Sequence, residues 1–291
     1  MKFAAFEVDE TRFAGVVKGD VIIKLSSLAS NFNSGSLLPL ISDESALPEL
    51  TKKLNSLDDS QLLDSLSSGN AFKLSDVKIR APMRPPAVFC LGFNYRAHTP
   101  ELNRPVPEVP VIFMKPSFAV IGPDEDVVLP KVAKRVDYEV ELAIVIGRGG
   151  RYIPYEEAYN RVFGYTILND ITARDIQRYD FSQQRPWLRS KGFDTFAPLG
   201  PFVVPRDEVD PMNLELKMTV NGVMKQHARS SQMLFDIPKM VEYISSFTTL
   251  EPGSVIATGT PENIGPLNKG DLMEAYVEGI GTLRNRAIGE I

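Results

Sequence analysis

Two acidic residues alternate inside an apolar segment, and their spacing suits metal chemistry. Glu139 and Glu141 belong to the segment D-Y-E-V-E-L-A-I-V-I-G, which begins at Asp137. A strand points successive side chains to opposite faces, so both carboxylates project from one face, about 7 Å apart. Like charges on a partly buried face repel each other, and a hard divalent cation relieves the repulsion. The alternative is an edge strand with both glutamates in water.

A third carboxylate extends this hypothesis. Asp170 follows the apolar segment 165–168 and therefore lies at a strand end. If a helix follows, Arg174 and Gln177 share a face with Asp170. A cation and an amide donor beside a metal carboxylate suit an anionic, oxygen-rich substrate. The alternative is that Asp170 caps the helix and pairs with Arg174 one turn later.

A histidine and a glutamate supply a candidate base. His98 is one of two histidines, and Pro100 suits the first turn of a helix that would bring Glu101 close to it. A carboxylate that orients an imidazole and raises its basicity is a general-base arrangement. The alternative is a surface histidine on a loop. The other histidine, His227, lies in a polar segment and is predicted to lie in a solvated loop.

Two further residues could contact an anion. Lys191 could neutralise a substrate carboxylate or enolate, although an isolated lysine is also an ordinary surface residue. Thr260 follows the predicted strand 254–258 and offers a hydroxyl and a backbone N–H.

Composition restricts the class of protein. The chain has 291 residues and a net charge of −5, which argues against nucleic acid or an anionic membrane as the main partner. Its single cysteine, Cys90, excludes an internal disulfide and suits a reducing compartment. No apolar run reaches the roughly 18 residues of a membrane span, and Glu7 interrupts the N-terminus before a signal-peptide core develops. We expect a cytoplasmic protein.

The elements that must position these residues fall into two predicted domains. Residues 1–75 indicate a small N-terminal domain, with a β-meander over 2–25 and two helical stretches, the second opened by a capping box near Asp58. Residues 76–291 read mostly as short strands, with helical patterns at 155–162, 171–179 and 237–246. Strands are predicted at 88–91, 111–115, 127–129, 138–146, 165–169, 202–204, 214–220, 254–258 and 272–277. Many strands with few helices predict an α+β fold with a large mixed or antiparallel sheet.

An ordered set of motifs resembles the fumarylacetoacetate hydrolase (FAH) superfamily. The resemblance covers roughly residues 85–291, and the stretches from Arg104 and Phe193 are similar to the branch of small FAH-domain-containing proteins. The motifs are G-F-N-Y-x-x-H-x-x-E, F-M-K-P, D-Y-E-V-E-L-A-I-V-I-G, N-D-I-T-A-R-D-x-Q, K-G-F-D-T-F-A-P-L-G-P and T-G-T-P.

The resemblance implies an FAH-type α+β fold, in which a rolled mixed β-sheet with few helices is joined to a small N-terminal α/β cap domain, usually as a homodimer. It implies that one divalent ion, Mg²⁺ or Mn²⁺ with Ca²⁺ as a substitute in crystals, is held by three carboxylates. The implied roles are metal ligands Glu139, Glu141 and Asp170; a catalytic dyad of His98 and Glu101, with Lys191; and substrate contacts from Tyr95, Arg174, Gln177 and Thr260.

Members of this family act on 2-oxo (1,3-dicarbonyl) acids through a metal-stabilised enolate. The presence of His98 and Glu101 favours hydrolysis of a C–C bond in an acylpyruvate or fumarylpyruvate, with the dyad activating water. The alternatives are oxaloacetate decarboxylation and keto–enol tautomerisation or isomerisation. A non-catalytic, metal-stabilised regulator is a further alternative.

The sequence departs from the family pattern at two places. Larger members place an additional Asp ligand near the histidine motif, where this chain has Asn94 and Tyr95, so the resemblance implies a water molecule in that coordination position. The loop that usually reads T-G-T-P-x-G-V-G reads T-G-T-P-E-N-I-G over 258–265, which alters its tip.

Overall fold

A computed structural model of the chain describes residues 1–97 and 106–290. Within those residues it has twenty β-strands and seven α-helices, which confirms the α+β class. The strands are β1 Lys2–Val8, β2 Thr11–Lys18, β3 Val21–Lys24, β4 Ala71–Lys73, β5 Lys78–Arg80, β6 Val88–Gly92, β7 Val111–Lys115, β8 Val120–Ile121, β9 Val127–Leu129, β10 Val136–Tyr138, β11 Val140–Ile146, β12 Val162–Asn169, β13 Thr172–Ala173, β14 Ala197–Pro205, β15 Glu215–Val220, β16 Val223–Arg229, β17 Val255–Ala257, β18 Gly265–Pro266, β19 Leu272–Val277 and β20 Gly281–Gly289. The helices are α1 Leu25–Leu28, α2 Leu38–Ser42, α3 Leu47–Ser56, α4 Asp59–Ser67, α5 Arg174–Ser182, α6 Leu188–Lys191 and α7 Ile237–Phe247.

The strands form one large sheet and two smaller ones. The large sheet has twelve strands in the order β4-β3-β2-β1-β14-β12-β11-β17-β6-β7, with β5 beside β1 and β8 beside β14. It is mixed, because β17 runs parallel to β6 and β8 runs parallel to β14 while the other pairs are antiparallel. A five-stranded sheet has the order β16-β15-β19-β20-β9, and a three-stranded sheet has the order β13-β10-β18.

Strand β11 separates two hydrophobic cores. Its even-numbered residues, from Val140 to Ile146, pack in the core that includes α7. Ala143 and Val145 pack on the opposite face in a second core. The predicted alternation is therefore confirmed, and the face that carries the glutamates continues as an apolar surface. The edge-strand alternative is wrong, because β11 lies between β12 and β17.

The N-terminal region contains the predicted meander, which is β1, β2 and β3. The predicted capping box is also present, since Asp58 accepts from the backbone N–H of Gln61 and the Gln61 side chain accepts from that of Asp58. β1 pairs with β14 through Phe3 and Val203, and many of the buried apolar side chains between Phe3 and Ala71 share the second core with β11 and β17. The domain boundary near residue 75 stays a prediction.

Other local predictions differ from the structure in informative ways. Residues Tyr155–Arg161 form a 3-10 helix, and α5 begins at Arg174 because the preceding two residues pair as β13 with β10. His227 lies in β16, so the loop prediction is wrong; this strand lies at the margin of its sheet and its side chains are mostly polar. In the described part of the chain, no helix has the length and apolar character needed to span a membrane.

Candidate active site

Three carboxylates converge where β11 begins and β12 ends. Ligand atoms of Glu139, Glu141 and Asp170 lie within 4.8 Å of one another. Their backbones are fixed together, since Asp170 N donates to Glu139 O at 2.8 Å and Glu139 N donates to Asn169 Oδ1 at 2.9 Å. All three side chains are buried. The arrangement predicted from strand period and strand end is therefore present in the fold.

Two buried lysines contact this triad. Lys191, the last residue of α6, reaches Asp170 and donates to Glu139 Oε2 at 2.9 Å. Lys115, the last residue of β7, donates to Asp170 Oδ1 at 2.6 Å and to Ile171 O at 2.9 Å. The surface alternative for Lys191 is wrong. Sequence reasoning gave Lys115 no role, although it belongs to the F-M-K-P motif and the period of two places it on the same face of β7 as Phe113.

Glu141 carries the least compensated charge of the three. Its Oε2 accepts from the backbone N–H of Gly259 at 2.8 Å, and in the ranges that the structure describes no lysine or arginine forms a salt bridge with it. Burial raises the pKa of Glu141 well above its usual range, and the charges of Asp170 and Glu139 raise this pKa further. Three buried oxygen donors, of which Glu141 is the least compensated, fit a hard divalent cation.

The pKa values of the two lysines are shifted in opposite directions. Burial lowers the pKa of Lys191, but Asp170 and Glu139 outweigh burial and hold this pKa above its usual value. For Lys115, burial is the larger influence and the pKa lies below its usual value despite Asp170. The site thus places two amines of different basicity against one carboxylate.

Arg174 contacts the triad through Glu139 and links it to Asp137. Its Nε donates to Asp137 Oδ2 at 2.8 Å, its Nη1 donates to Gln177 Oε1 at 2.5 Å, and its Nη2 contacts Glu139. The capping alternative for Asp170 is wrong, because Ala173 occupies the N-cap position of α5 and Arg174 pairs with other carboxylates. Arg174 therefore meets the triad through Glu139, and Gln177 contacts Arg174. The predicted helical face shared with Asp170 is wrong, because the helix begins only at Arg174.

The segment after β6 contributes a buried tyrosine. The hydroxyl of Tyr95 is buried and has no hydrogen-bond partner in the part of the chain that the structure describes. Burial raises its pKa, and the nearby Glu141 and Glu262 carboxylates add to that shift. The preceding Asn94 is committed to the backbone, donating to Thr258 O at 2.7 Å and accepting from Phe235 N at 2.9 Å. Its amide therefore supports the loop after β17.

Thr260 lies on that loop, against the strand that carries the glutamates. Its hydroxyl donates to Val140 O at 3.0 Å. The structure thus brings together the predicted residues that it describes, which are Tyr95, Glu139, Glu141, Asp170, Arg174, Gln177, Lys191 and Thr260. His98 and Glu101 lie outside the described residues.

The order of motifs and the site geometry agree with a family comparison. The family model "Fumarylacetoacetate (FAA) hydrolase C-terminal" matches residues 87–288. The chain belongs to the fumarylacetoacetate hydrolase superfamily.

Several FAH proteins are similar over most or all of the chain. A mitochondrial oxaloacetate tautomerase of Bos taurus is 42% identical over 223 residues, which is 74% of this chain and 70% of that bovine protein. The structure of 5-carboxymethyl-2-hydroxymuconate delta-isomerase from Mycobacterium smegmatis matches with a TM-score of 0.78 at 36% identity, covering 100% of both chains. Maleylpyruvate hydrolase from Sphingobium sp. SYK-6, in complex with manganese(II) and pyruvate, matches with a TM-score of 0.79 at 29% identity, also over 100% of both chains.

These FAH relatives catalyse different reactions on small molecules. One is a tautomerase, one is an isomerase and one is a hydrolase. The fold therefore accommodates several outcomes, and the choice among them depends on particular side chains.

Proposed function

We propose that this protein is a divalent-metal-dependent enzyme that interconverts the keto and enol forms of an oxaloacetate-type 2-oxo acid. The observation that carries the proposal is the contact of the buried Lys191 with both Glu139 and Asp170. That contact places a proton-bearing amine directly beside the carboxylates that would hold an ion. Keto–enol interconversion needs these two features next to each other, because charge develops on the keto oxygen while a proton moves.

The three carboxylates would hold Mg²⁺ or Mn²⁺. A bound ion would supply positive charge beside the keto and carboxylate oxygens of the substrate. The remaining work belongs to side chains of this protein. Lys191 would hold or deliver the proton at the keto oxygen. Arg174 would keep Glu139 oriented. The Tyr95 hydroxyl, which has no hydrogen-bond partner among the described residues, would hydrogen-bond the substrate.

Keto-to-enol tautomerisation adds one proton to the keto oxygen at C2 and releases one from C3, and it requires no attacking water. Lys191 would give its proton to the oxygen, the proton from C3 would pass to solvent, and the lysine would regain a proton from solvent. Among the described residues, the triad with its ion would supply the charge stabilisation and Lys191 would be the proton carrier. The 42% identity to the bovine oxaloacetate tautomerase supports the same outcome.

Hydrolysis of a C–C bond is the second candidate. It adds water to a carbonyl and therefore needs a base that activates water. The H-x-x-E spacing of His98 and Glu101 favours it, as does the likeness to maleylpyruvate hydrolase. Decarboxylation of oxaloacetate would use the same enolate chemistry without the dyad.

The test is a parallel assay of one purified, metal-stripped sample to which Mg²⁺ or Mn²⁺ is returned. Enol-to-keto conversion of oxaloacetate, release of carbon dioxide, and hydrolysis of acetylpyruvate and fumarylpyruvate are measured together. We expect metal-dependent tautomerisation that is lost in Lys191→Met. Hydrolysis without tautomerisation would favour the second candidate. No turnover of any substrate with either metal would contradict an enzymatic function and favour the regulator.

A further inference from the structure

Gln226 occupies an unusual position for a polar residue on a strand at the margin of its sheet. It lies in β16, between the exposed Lys225 and His227, yet its own side chain is fully buried. Burying an amide is unfavourable unless its donors and acceptor are satisfied. The hydrogen-bond partners of the Gln226 side chain therefore indicate its structural role.

The side chain of Gln226 joins the strand of the glutamates to the loop of Thr260. Its Oε1 accepts from the backbone N–H of Val140 at 3.1 Å, and Val140 is the residue between Glu139 and Glu141. Its Nε2 lies 3.0 Å from Thr260 Oγ1, 2.9 Å from Pro261 O and 3.3 Å from Glu262 O, and donates toward all three. One amide thus ties the strand to the loop.

These contacts decide what Thr260 can offer to a ligand. A hydroxyl has one proton, and that proton goes to Val140 O. The hydroxyl oxygen also accepts from Gln226. While both bonds hold, Thr260 has no hydroxyl proton for a substrate oxygen. Its backbone N–H donates to no residue in the ranges 1–97 and 106–290 and is the donor that it retains.

We propose that Gln226 is a positioning residue that holds the loop at 260–262 so that the backbone N–H of Thr260 faces a carboxylate of the substrate. The inference rests on the proposed function, because it assumes a 2-oxo acid at the triad. Gln226 does not touch the reacting atoms. It acts through Val140 on one side and Thr260 on the other.

The matched variants are Gln226→Met, which keeps the length of the side chain and removes the amide, and Gln226→Asn, which keeps the amide but shortens its reach. Pyruvate is the probe, and its Kd is measured by calorimetry on the Mg²⁺-loaded protein. We expect Gln226→Met to raise the Kd for pyruvate on the order of tenfold and to raise KM by the same factor. The reason is that the backbone N–H of Thr260, a donor to the charged carboxylate, is misplaced. Mg²⁺ affinity and kcat should stay within about threefold, since the triad is retained. The Kd and KM of Gln226→Asn should lie between those of the wild type and those of Gln226→Met.

His227→Ala is the control, because His227 is the next residue of β16 and pairs with Glu215 on the exposed side. It should leave Kd, KM and kcat unchanged.

A folded Gln226→Met protein with wild-type Kd and KM would overturn the proposal, even if its Tm fell, because that result describes a purely structural glutamine. Should Gln226→Met fail to fold, Gln226→Asn decides by the same two quantities. A wild-type protein that binds pyruvate with Mg²⁺ but turns over no 2-oxo acid would refute the proposed function alone, and the Kd comparison would still test Gln226.

Discussion

The molecule contains two clusters of alternating acids and bases with similar contact distances and different surroundings. In the surface cluster, Arg80 binds Glu7 at 2.7 Å and Glu125 at 2.9 Å. In the buried cluster, Lys115 binds Asp170 at 2.6 Å. The side chain of Arg80 is 20% exposed and that of Lys115 is 0% exposed. Water screens the charges of the surface cluster, whereas the charges of the buried cluster are stabilised mainly by one another.

The comparison shows that contact geometry alone does not measure importance. A buried salt bridge often contributes little net stability, because desolvation offsets the attraction. A buried cluster that also contains Glu141, a carboxylate with a raised pKa, is therefore poorly explained by stability. Perturbed pKa values of this kind concentrate at functional sites. Each of the following changes tests the difference between the buried cluster and the surface cluster.

The largest effect is expected from Asp170→Ala. The change removes a triad oxygen donor and leaves the ammonium groups of Lys115 and Lys191 without their shared partner. We expect turnover to be abolished, Mg²⁺ binding to be lost by calorimetry, and the free energy of unfolding to fall by about 3–5 kcal/mol. The control is Asp180→Ala, which removes a buried acid that binds Arg189 outside the triad. Equal losses of activity in the two variants would contradict a special role for the triad.

The next effect concerns His98→Ala. If the histidine is a general base, the variant should lose about 10²–10⁴ in kcat for hydrolysis of acylpyruvates while its Mg²⁺ affinity is unchanged. Oxaloacetate tautomerisation should persist, because that reaction needs no activated water. Steady-state kinetics on both substrates separate the two functions, with His227→Ala as the control. Wild-type hydrolysis by His98→Ala would assign water activation to another group.

Metal should stabilise the protein in a pH-dependent way. The pKa of Glu141 in the folded metal-free protein lies above its ordinary value of 4.5, so above that pH the folded state binds more protons than the unfolded state. Its contribution to stability therefore falls as pH rises. A bound cation compensates the charge and adds about 2.7 kcal/mol at 100 times Kd. We expect the gain in Tm from saturating Mg²⁺ to increase from pH 5 to pH 8.

Glu141→Gln is the control for that measurement, because it keeps the shape of the side chain without its charge. The pH dependence of the Mg²⁺ effect should shrink in this variant. A Mg²⁺ effect that is constant with pH in the wild type, or greatest at low pH, would contradict the interpretation of Glu141.

The smallest effect is expected from Glu7→Gln in the surface cluster. The variant removes the charge that accepts from Arg80 and Arg12 but leaves both arginines accessible to water. We expect a change in Tm of about 2 °C or less and unchanged kcat and KM. A change in Tm as large as that of Asp170→Ala would mean that burial does not distinguish the clusters.

The sequence was sufficient to predict the carboxylates of the site but not all of its support. Glu139 and Glu141 follow from the period of a strand, and Asp170 follows from the end of the next predicted strand. Lys115 and Gln226 come from β7 and β16, and their positions depend on sheet pairing. Gln226 meets Val140 across 86 positions of the chain. No local pattern encodes that contact.

The fold could be predicted from the sequence to about the same extent as the site. Strands with apolar alternation, such as β11 and β12, were predicted, whereas β16 has the polar sequence V-M-K-Q-H-A-R and was missed. The helical pattern begins at residue 171, but α5 begins at Arg174, because a two-residue pairing of β13 with β10 overrides the local helical pattern. In both cases a neighbouring strand decided the structure, and the order of strands in a sheet is not visible in periodicity.

The position of β17 has a consequence for how the protein is made. This strand lies between β11 and β6, pairing Ala257 with Ala143 on one side and with Cys90 on the other. A growing chain therefore contains β6 and β11 long before the strand that joins them leaves the ribosome. Until then, both strands present unpaired apolar edges of the kind that favours association between chains. A nascent chain stalled before residue 255 should be a preferred client of chaperones that shield such edges.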